Sequence, residues 1–377
     1  MTTTAPPVRP ATGTGRSTRA GRLVLLSAAG VSMLAGLNAA LLLLGLPAPA
    51  TSAGLPVLHG MLMVLGFLGA LISLERAVAL RSAWGFLAPT LLGGGGLALL
   101  SPAPPVLGQL LLVNGAAVLC AVYVQLWRRS WDNTVLVQLL GALLALFAAA
   151  FWIRVEIVDL VALLSGFIVL TIVAERVELA RISLPRWAEP IVLMLAGALV
   201  LASLATMVFS RAGAAAFGLT LLLLAAYLGW HDVARRMVRA KGLPRFAAAA
   251  MLAGYAWLAL AGLVWMMGGP AGVPHWYDLV VHGIFLGFGM SMVLAHAPVI
   301  LPAVLRISLP YHPVSWAPLT VLHAGMVVRT LGMVTEVNTV WQVGGLLTIA
   351  ALLLLALSAV GVAVWAGRNR TTPAARA

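Results

Sequence analysis

Long apolar runs separated by short polar segments follow one another along almost the whole chain. An apolar run of about 18 residues or more is long enough to cross about 30 Å of hydrocarbon as a helix. Strict apolar/polar alternation, the pattern of a membrane barrel, is absent from the sequence. The pattern predicts an all-α integral membrane protein with twelve transmembrane helices, centred in residues 22–46, 55–80, 84–100, 104–126, 133–153, 157–180, 188–209, 213–231, 245–268, 275–304, 315–335 and 340–366.

The composition excludes a soluble globular domain. Of the 377 residues, 62% are hydrophobic and 9% are charged, and the mean hydropathy is +1.05. Because no soluble fold has enough interior to hide so much apolar surface, the lipid bilayer is the expected partner of the chain. The single cysteine, Cys120, excludes an intramolecular disulfide, so metal chemistry would rest mainly on histidine.

The distribution of arginine predicts the orientation of the helices, because cytoplasmic loops collect Lys and Arg. With the amino terminus inside, twelve spans place most basic residues on one side: Arg9, Arg16, Arg19, Arg22, Arg81, Arg128, Arg129, Arg181, Arg186, the cluster from Arg235 to Arg245, Arg306, Arg368 and Arg370. The opposite side receives Arg154 and Arg211, and Arg329 lies near the outer end of span eleven. We expect a multi-pass protein of the cytoplasmic membrane with both termini in the cytoplasm. The net charge of +13 is then a feature of topology and not of nucleic-acid binding.

Two tails flank the membrane domain of residues 22–366. Residues 1–21 are rich in Pro, Thr and Arg, lack acidic residues and show no secretory signal, which predicts a disordered cytoplasmic tail. Residues 367–377 are expected to form a second cytoplasmic tail.

A repeated motif divides the domain into three. In each copy a Gly-Phe pair is followed, nine residues after the glycine, by an ionisable residue: Gly66 with Glu75, Gly166 with Glu175, and Gly287 with His296. The copies fall in spans two, six and ten, so the repeating unit is four helices and the units are parallel in the membrane. The motif predicts three parallel four-helix repeats with pseudo-threefold symmetry, at about 22–126, 133–231 and 245–366.

The pentapeptide Arg-Ile-Ser-Leu-Pro follows two of these copies, at 181–185 and 306–310. We expect it to end the second helix of a repeat, with Arg at the interface and Pro preventing continuation. An ordinary stop signal at a membrane helix is the alternative interpretation.

Four of the seven histidines, His59, His282, His296 and His323, fall inside the predicted spans, whereas His231, His275 and His312 fall at water interfaces. An ionisable side chain in hydrocarbon must be paired, face a cavity or bind a ligand. His59 and His282 each begin a His-Gly pair in the outer third of the bilayer, and two such imidazoles can hold a six-coordinate b-type haem. Aligning the repeats on Gly-Phe places Met61 opposite His282, so Met61 is a competing axial ligand. Structural histidines bonded to Ser or a carbonyl are the alternative.

A ring of polar side chains is also expected inside the bilayer. Glu75, Glu175 and His296 occupy equivalent positions and form a candidate inner polar ring for proton conduction or for a metal with oxygen and nitrogen ligands. Salt bridges of Glu75 with Arg76 and of Glu175 with Arg176 are the alternative.

Arg329, and Arg154 or Arg211, are candidates to bind haem propionates near the outer surface. An internal carboxylate such as Glu336, Asp159 or Glu156 is the simpler partner for Arg329.

The twelve-span plan, with His59 near the outer end of span two and histidines in span ten, resembles subunit I of haem-copper oxidases and, more closely, the NnrS family. That resemblance implies a haem b ligand role for His59 and His282, metal ligation by His296 or His323, copper binding, and a role connected with nitric oxide. Spans six and seven carry no histidine, so terminal oxidase activity is not expected. Span two also lacks the richer His/Glu cluster of that family.

Three functions remain open from the sequence. The leading hypothesis is a b-type haem protein concerned with nitric oxide binding or response, or with electron transfer to a redox partner near the outer face. The second is a secondary transporter or metal permease that uses the inner ring, supported by a helix break at Pro298 and Pro302. The third is a scaffold subunit whose polar residues hold helices together. No motif for phosphate binding or hydrolysis is present, and redox activity on nitric oxide is left open.

Overall fold

The computed structural model describes residues 19–181, 187–269, 276–307 and 309–370, with side chains through Arg368. Residues 1–18 of the predicted tail, Arg186, His275 and most of the first Arg-Ile-Ser-Leu-Pro copy lie outside this part of the chain.

All regular elements in the described part are helical. Twelve apolar helices, numbered in chain order, are α1 (Arg19–Leu43), α2 (Leu55–Leu80), α3 (Leu87–Leu99), α4 (Pro105–Ser130), α5 (Asn133–Phe151), α6 (Ile157–Ala180), α7 (Ala188–Ala205), α8 (Ser210–His231), α9 (Leu243–Met266), α10 (Tyr277–Leu305), α11 (Trp316–Val334) and α12 (Asn338–Arg370). Single 3₁₀ turns precede α3 and α11, and a short helix at Ala234–Met237 precedes α9.

Eleven of these helices in the described segments are long and apolar enough to cross a membrane, and Ala83–Leu99 is a shorter apolar helix. The prediction of an all-α membrane protein is therefore confirmed. The predicted boundaries are close to those observed, although α1 begins at Arg19 and α12 continues to Arg370, into the stretch expected to be a tail. Large apolar side chains such as Leu201 and Val208 are exposed on the outside of the bundle, as a lipid environment allows.

Helices α2 and α10 share an interruption that the sequence did not predict. In α2 a π-helical segment, Leu62–Gly69, separates Leu55–Met61 from Ala70–Leu80. In α10 the π-helical segment is Gly283–Met290, between Tyr277–His282 and Ser291–Leu305. The two π segments occupy the same positions relative to Gly66 and Gly287, and π turns occur frequently at functional sites.

Contacts between helix ends define two faces of the bundle. At the face called here the basic face, Arg22 Nη1 donates to Val304 O at 2.7 Å and Arg129 Nη1 donates to Leu80 O at 2.7 Å. The first bond joins the start of α1 to the end of α10, and the second joins the end of α4 to the end of α2. The exposed indoles of Trp131, Trp187 and Trp230 lie on loops and helix ends of this face, where tryptophan is enriched at a membrane–water interface. The other face is called here the cavity face.

Three helices occupy the centre of the bundle. In α6, 83% of the most apolar 18-residue window is buried, and the value is 61% in α2 and α10. In the other membrane-length helices it lies between 22% in α12 and 50%. The second helices of the predicted repeats therefore form the interior, and the remaining helices surround them.

The glycine of each Gly-Phe pair lets its helix approach a neighbour closely. A Cβ at Gly166 would lie 2.5 Å from Leu144 Cδ1 of α5, and one at Gly287 would lie 2.5 Å from Trp257 Cγ of α9. At Gly66 the nearest atom would be Ser32 Oγ of α1, at 3.0 Å. In all three cases the second helix packs its glycine against the first helix of the same predicted repeat.

The end of α10 corrects the expected role of the pentapeptide proline. The helix ends at Leu305 because Arg306 adopts the left-handed conformation (φ 54°), four residues before Pro310. Arg81 ends α2 in the same conformation (φ 57°). The expected helix break is also wrong, since Ser291–Leu305 stays helical through Pro298 and Pro302.

Helices α8 and α9 meet at two glycines. A Cβ at Gly218 would lie 2.5 Å from Gly262 O, and one at Gly262 would lie 3.0 Å from Gly218 O. Because both obstacles are backbone atoms, we expect Gly218→Ala to destabilise the protein by about 1–3 kcal/mol, the usual cost of overpacking. Gly229→Ala on the same helix meets nothing within 4 Å and is the matched control. Melting temperatures in detergent test this; equal effects of the two substitutions would show that the close approach is unimportant.

Asp132 caps α5 and links it to α6. Its Oδ1 accepts from Thr134 N at 2.9 Å, and its Oδ2 accepts from Arg181 Nη2 at 2.6 Å. Burial acts to raise the pKa of Asp132, but the hydrogen bonds from Arg181 and Thr134 lower it overall from the ordinary 3.8.

A depressed carboxyl pKa contributes stability above the unfolded pKa, and that contribution is lost as pH falls through the folded pKa. Asp132→Asn keeps the cap but removes the ionisation. We expect the melting temperature of wild type to exceed that of Asp132→Asn at neutral pH. The difference should shrink below about pH 4. Parallel melting curves over the acid range would contradict the link.

Candidate functional site

His59 lies on the first helical segment of α2, two residues before Met61 ends that segment. Its Nδ1 lies 2.8 Å from the carbonyl oxygen of Gly36 on α1. Because a carbonyl only accepts, Nδ1 carries the proton and Nε2 keeps its lone pair. The side chain is therefore fixed in orientation with one nitrogen available as a ligand.

His282 ends the first segment of α10 and is held by Asp278, one turn earlier. Its Nδ1 lies 3.0 Å from Asp278 O and 3.2 Å from Asp278 Oδ1. The same carboxylate accepts two bonds from Arg329 of α11, from Nε at 2.6 Å and from Nη2 at 2.5 Å. Both acceptors of Asp278 require a proton on His282 Nδ1, so Nε2 again keeps its lone pair.

The two histidines meet across the space between α2 and α10. Their ring centroids are 6.4 Å apart and their planes are tilted by 42°. The structure thus brings together the two residues that the sequence places at similar depth on separate helices. In both helices the π-helical segment begins within three residues of the histidine.

Both rings line a cavity of about 1190 Å³ at the cavity face. Its deeper walls are apolar and come from α1, α2, α6, α10 and α12, with Val161, Leu164 and Leu352 among them. Exposed charged residues lie at its mouth, namely Arg154, Glu156 and Glu336, and the pair of Asp278 and Arg329 lies in its wall. The cavity therefore has an apolar body, two imidazoles in its wall and a polar rim, as sites for amphipathic cofactors have.

The other residues predicted to bind a haem differ in whether they line this cavity. Met61 is fully buried and is not among the residues that line the cavity. Arg154 is exposed and lines the cavity, whereas Arg329 is 7% exposed and already bonded to Asp278. The carboxylate partner of Arg329 is Asp278, so Glu336, Asp159 and Glu156 were wrong expectations.

His323 does not join this pair. Its Nδ1 accepts from Trp257 Nε1 at 3.0 Å, which leaves the proton on Nε2, 3.3 Å from Ser291 Oγ. Both nitrogens are then used in hydrogen bonds that hold α9, α10 and α11 together. Within the described ranges no group of three or more His, Cys, Asp or Glu side chains is arranged to hold a metal.

The predicted inner ring lies at the opposite end of the same central helices. Arg76 is paired with Glu75 through Nη2, and the same nitrogen lies 3.8 Å from Glu175 Oε1. The expected pair of Glu75 with Arg76 is present, whereas Arg176 is bonded to Asp232 and not to Glu175. His296, the third member of the predicted ring, bonds instead to Arg176, whose Nη1 lies 3.0 Å from His296 Nε2.

Asp232, just beyond α8, completes this arrangement. Its carboxylate accepts from Arg176 Nε and Nη2, both at 2.9 Å, and from Tyr255 Oη at 2.5 Å. Burial acts to raise the pKa of Asp232, but Arg176, Tyr255 and the Ala234 amide lower it overall. The Nδ1 of His296 lies 2.7 Å from Met292 O, so both of its nitrogens are used as well.

Sequence reasoning missed Asp278, Asp232 and Tyr255. The spacing of four between Asp278 and His282 is a signal for the first, because residues four apart share one face of a helix. Asp232 and Tyr255 carry no comparable signal. Asp232 lies 56 residues from Arg176 in the chain, and Tyr255 takes part through its bond to Asp232.

Comparison with known proteins gives a family but no described relative. No curated protein and no solved structure matches the chain. A family model, described as a domain of unknown function (DUF8744), matches residues 22–364, from the first turn of α1 to the last turns of α12. The chain therefore belongs to the DUF8744 family.

Proposed function

We propose that the protein is a membrane-embedded b-type haem protein whose iron is held between His59 and His282. The observation that carries the proposal is the 6.4 Å separation of their ring centroids. With metal–nitrogen bonds of about 2.0–2.1 Å and about 1.1 Å from each ligating nitrogen to its ring centre, two imidazoles on opposite sides of one iron have centroids about 6.3 Å apart. The observed separation of 6.4 Å is close to this value.

The hydrogen bonds of the two rings fit the same role. Imidazoles that ligate a metal usually donate their other N–H to a carbonyl or carboxylate, which fixes tautomer and orientation. Here His59 donates to Gly36 O, and His282 donates to Asp278. Each histidine therefore presents Nε2, with no rearrangement of protons needed.

The cavity fits the size and polarity of a porphyrin. Its volume of about 1190 Å³ lies just above the roughly 300–1,000 Å³ typical of small-molecule and cofactor sites. Apolar residues surround the histidines, and Arg154 at the rim is placed to pair with a propionate. Because Asp278 occupies Nε and Nη2 of Arg329, that guanidinium would act on a propionate only through Nη1.

Electron transfer is the reaction that this arrangement favours. A haem held by His59 and His282 would supply a reversible one-electron couple, and both histidines would be occupied in holding its iron. Nitric oxide binding would require His59 or His282 to leave, and His282 is restrained by the Asp278–Arg329 pair. The placement of both ligands on α2 and α10 supports the resemblance to the NnrS family.

We also propose twelve spans in three parallel repeats, in the cytoplasmic membrane, with both termini in the cytoplasm. Ala83–Leu99 would be the twelfth span: its 3₁₀ turn and helix measure about 27 Å, close to the hydrocarbon thickness. The equivalent glycine contacts and the central position of α2, α6 and α10 support the repeats. The arginines of the basic face support the orientation.

Optical spectra test the haem site. Protein purified with ample haem should show a Soret band and sharp reduced-state bands, and His59→Ala and His282→Ala should each abolish the six-coordinate spectrum. His323→Ala should keep it, because both nitrogens of His323 are bonded to protein groups. In His59→Gly, added imidazole should restore the spectrum, which separates ligation from folding. A colourless wild-type protein would end the proposal.

Asp278 should act as a positioning residue for His282. Outer partners of ligating histidines contribute about 10–100-fold to the affinity for the metal group. We therefore expect Asp278→Asn to weaken haem retention by about that factor and to raise the reduction potential, since a carboxylate makes the imidazole more electron-rich. Asp159→Asn, exposed at the same face on α6, is the matched control. An unchanged potential in Asp278→Asn would contradict this role.

A further inference from the structure

The basic-face end of the central helices carries a second polar site, called here the carboxyl pair: Glu75 on α2 and Glu175 on α6, with Arg76 beside them. Glu75 lies five residues before the end of α2, about 7.5 Å inside the helix terminus. The exposed fractions of the three side chains are 22%, 15% and 13%. Charges at this depth have little water to screen them.

The neighbouring polar groups balance their own charge. Arg176 and Asp232 form a neutral pair with two hydrogen bonds, and Tyr255 adds a third bond to the carboxylate. His296 accepts from Arg176 through Nε2 and is therefore a neutral imidazole. This unit has no spare positive charge to offer to the carboxyl pair.

The carboxyl pair itself is unbalanced, because two carboxyl groups share one guanidinium. Arg76 is paired directly with Glu75, and Glu175 Oε1 lies 3.8 Å from Arg76 Nη2. If both carboxyls were ionised, one negative charge would stay uncompensated in an apolar part of the bundle. Buried like charges that share a site are relieved when one of them binds a proton.

Unpartnered polar atoms surround the same guanidinium. Gln138 accepts from Arg76 Nη1 at 3.5 Å through Oε1, while its Nε2 has no partner in the described segments. Arg76 Nε and Tyr123 Oη also lack partners there, and Gln138 and Tyr123 are 0% exposed. Buried polar atoms without protein partners are normally bonded to internal water. Internal waters bonded to these atoms would also carry a proton to the carboxyl pair.

We propose that Glu75 and Glu175 together bind a single proton at neutral pH, with Glu75 the ionised partner of Arg76 and Glu175 the protonated one. The exchange route opens at the basic face, where Glu75 is the most exposed of the three side chains. The other titratable groups around the pair are Cys120 and Tyr123 on α4, Arg176 and Glu178 on α6, Asp232 after α8 and His296 on α10.

A metal cation is the weaker occupant of this site. Arg76 already lies between the two carboxyls, and its positive charge repels a second cation. A proton needs neither several oxygen ligands nor open space, and it removes the excess charge completely.

Infrared spectroscopy of the purified full-length protein in lipid tests the proposal through the C=O stretch of a protonated carboxyl, identified by its shift in heavy water. Wild type should show this band at neutral pH. Glu178→Gln, exposed and one turn further along α6, should leave it unchanged. Glu75→Gln and Glu175→Gln should each remove it, because a single remaining carboxyl is balanced by Arg76 and ionises.

The opposite effect is expected when the positive charge of Arg76 is removed. In Arg76→Gln both carboxyls should be protonated, and the band should grow to about twice its wild-type area. If that variant does not fold, the two glutamine variants still decide the question, because glutamine has the shape of a protonated glutamate.

The proposal is overturned if wild type lacks the band, or if only one of the two glutamine variants loses it. Melting temperatures that rise with added sodium, potassium or calcium in wild type but not in Glu175→Gln would assign a cation site instead. None of these measurements involves the haem, so the result is independent of the proposed redox function.

Discussion

Each ring nitrogen of a histidine buried in the membrane needs a partner. The four intramembrane histidines meet this requirement in two different ways. An unpartnered polar atom in hydrocarbon costs several kcal/mol, so each nitrogen requires a hydrogen bond, a ligand or access to a cavity. His296 and His323 use both nitrogens in bonds to protein groups and act as links between helices. His59 and His282 use only Nδ1 within the described part, and both line the cavity. The available lone pairs therefore occur at one place in the bundle.

Hydropathy and charge were sufficient to predict the helices and the basic face, because the bilayer acts on each span separately. A run of apolar residues becomes a helix wherever it lies in the chain. At the basic face, Arg22 at the start of α1 bonds to the end of α10, and Arg129 at the end of α4 bonds to the end of α2. Interactions between spans were harder to predict. Aligning the Gly-Phe pairs put Met61 opposite His282, yet residues 59 and 61 lie about 200° apart on a helix. The side of α2 that faces the cavity is the side of His59.

Partners of buried charges depend on tertiary packing and were mostly not predictable. Three carboxylates, at 156, 159 and 336, lie at the cavity face near Arg329 in the predicted topology, but they are exposed. Asp278 is 20% exposed as a side chain and can bond His282 and Arg329 together. A buried guanidinium gains most from the acceptor that is itself least hydrated, because that acceptor loses least to competing water. The same reasoning explains why Arg176 pairs with the buried Asp232 and not with the adjacent Glu175.

The distance between the cavity and the carboxyl pair decides how strongly they can influence each other. His59 and Glu75 lie on one helix, sixteen residues or about 24 Å apart. At an effective dielectric constant of about 20, unit charges at that distance interact by about 0.7 kcal/mol, which changes an equilibrium about threefold. Reduction of a haem at His59 and His282 would therefore shift the proton occupancy of the carboxyl pair only slightly through the electric field. Stronger coupling would need a movement of α2 or α10 that links the cavity to the carboxyl pair. Such a movement would involve the π-helical segments, because they lie between the two sites. Without such a movement, the carboxyl pair balances charge at the basic face independently of the chemistry in the cavity.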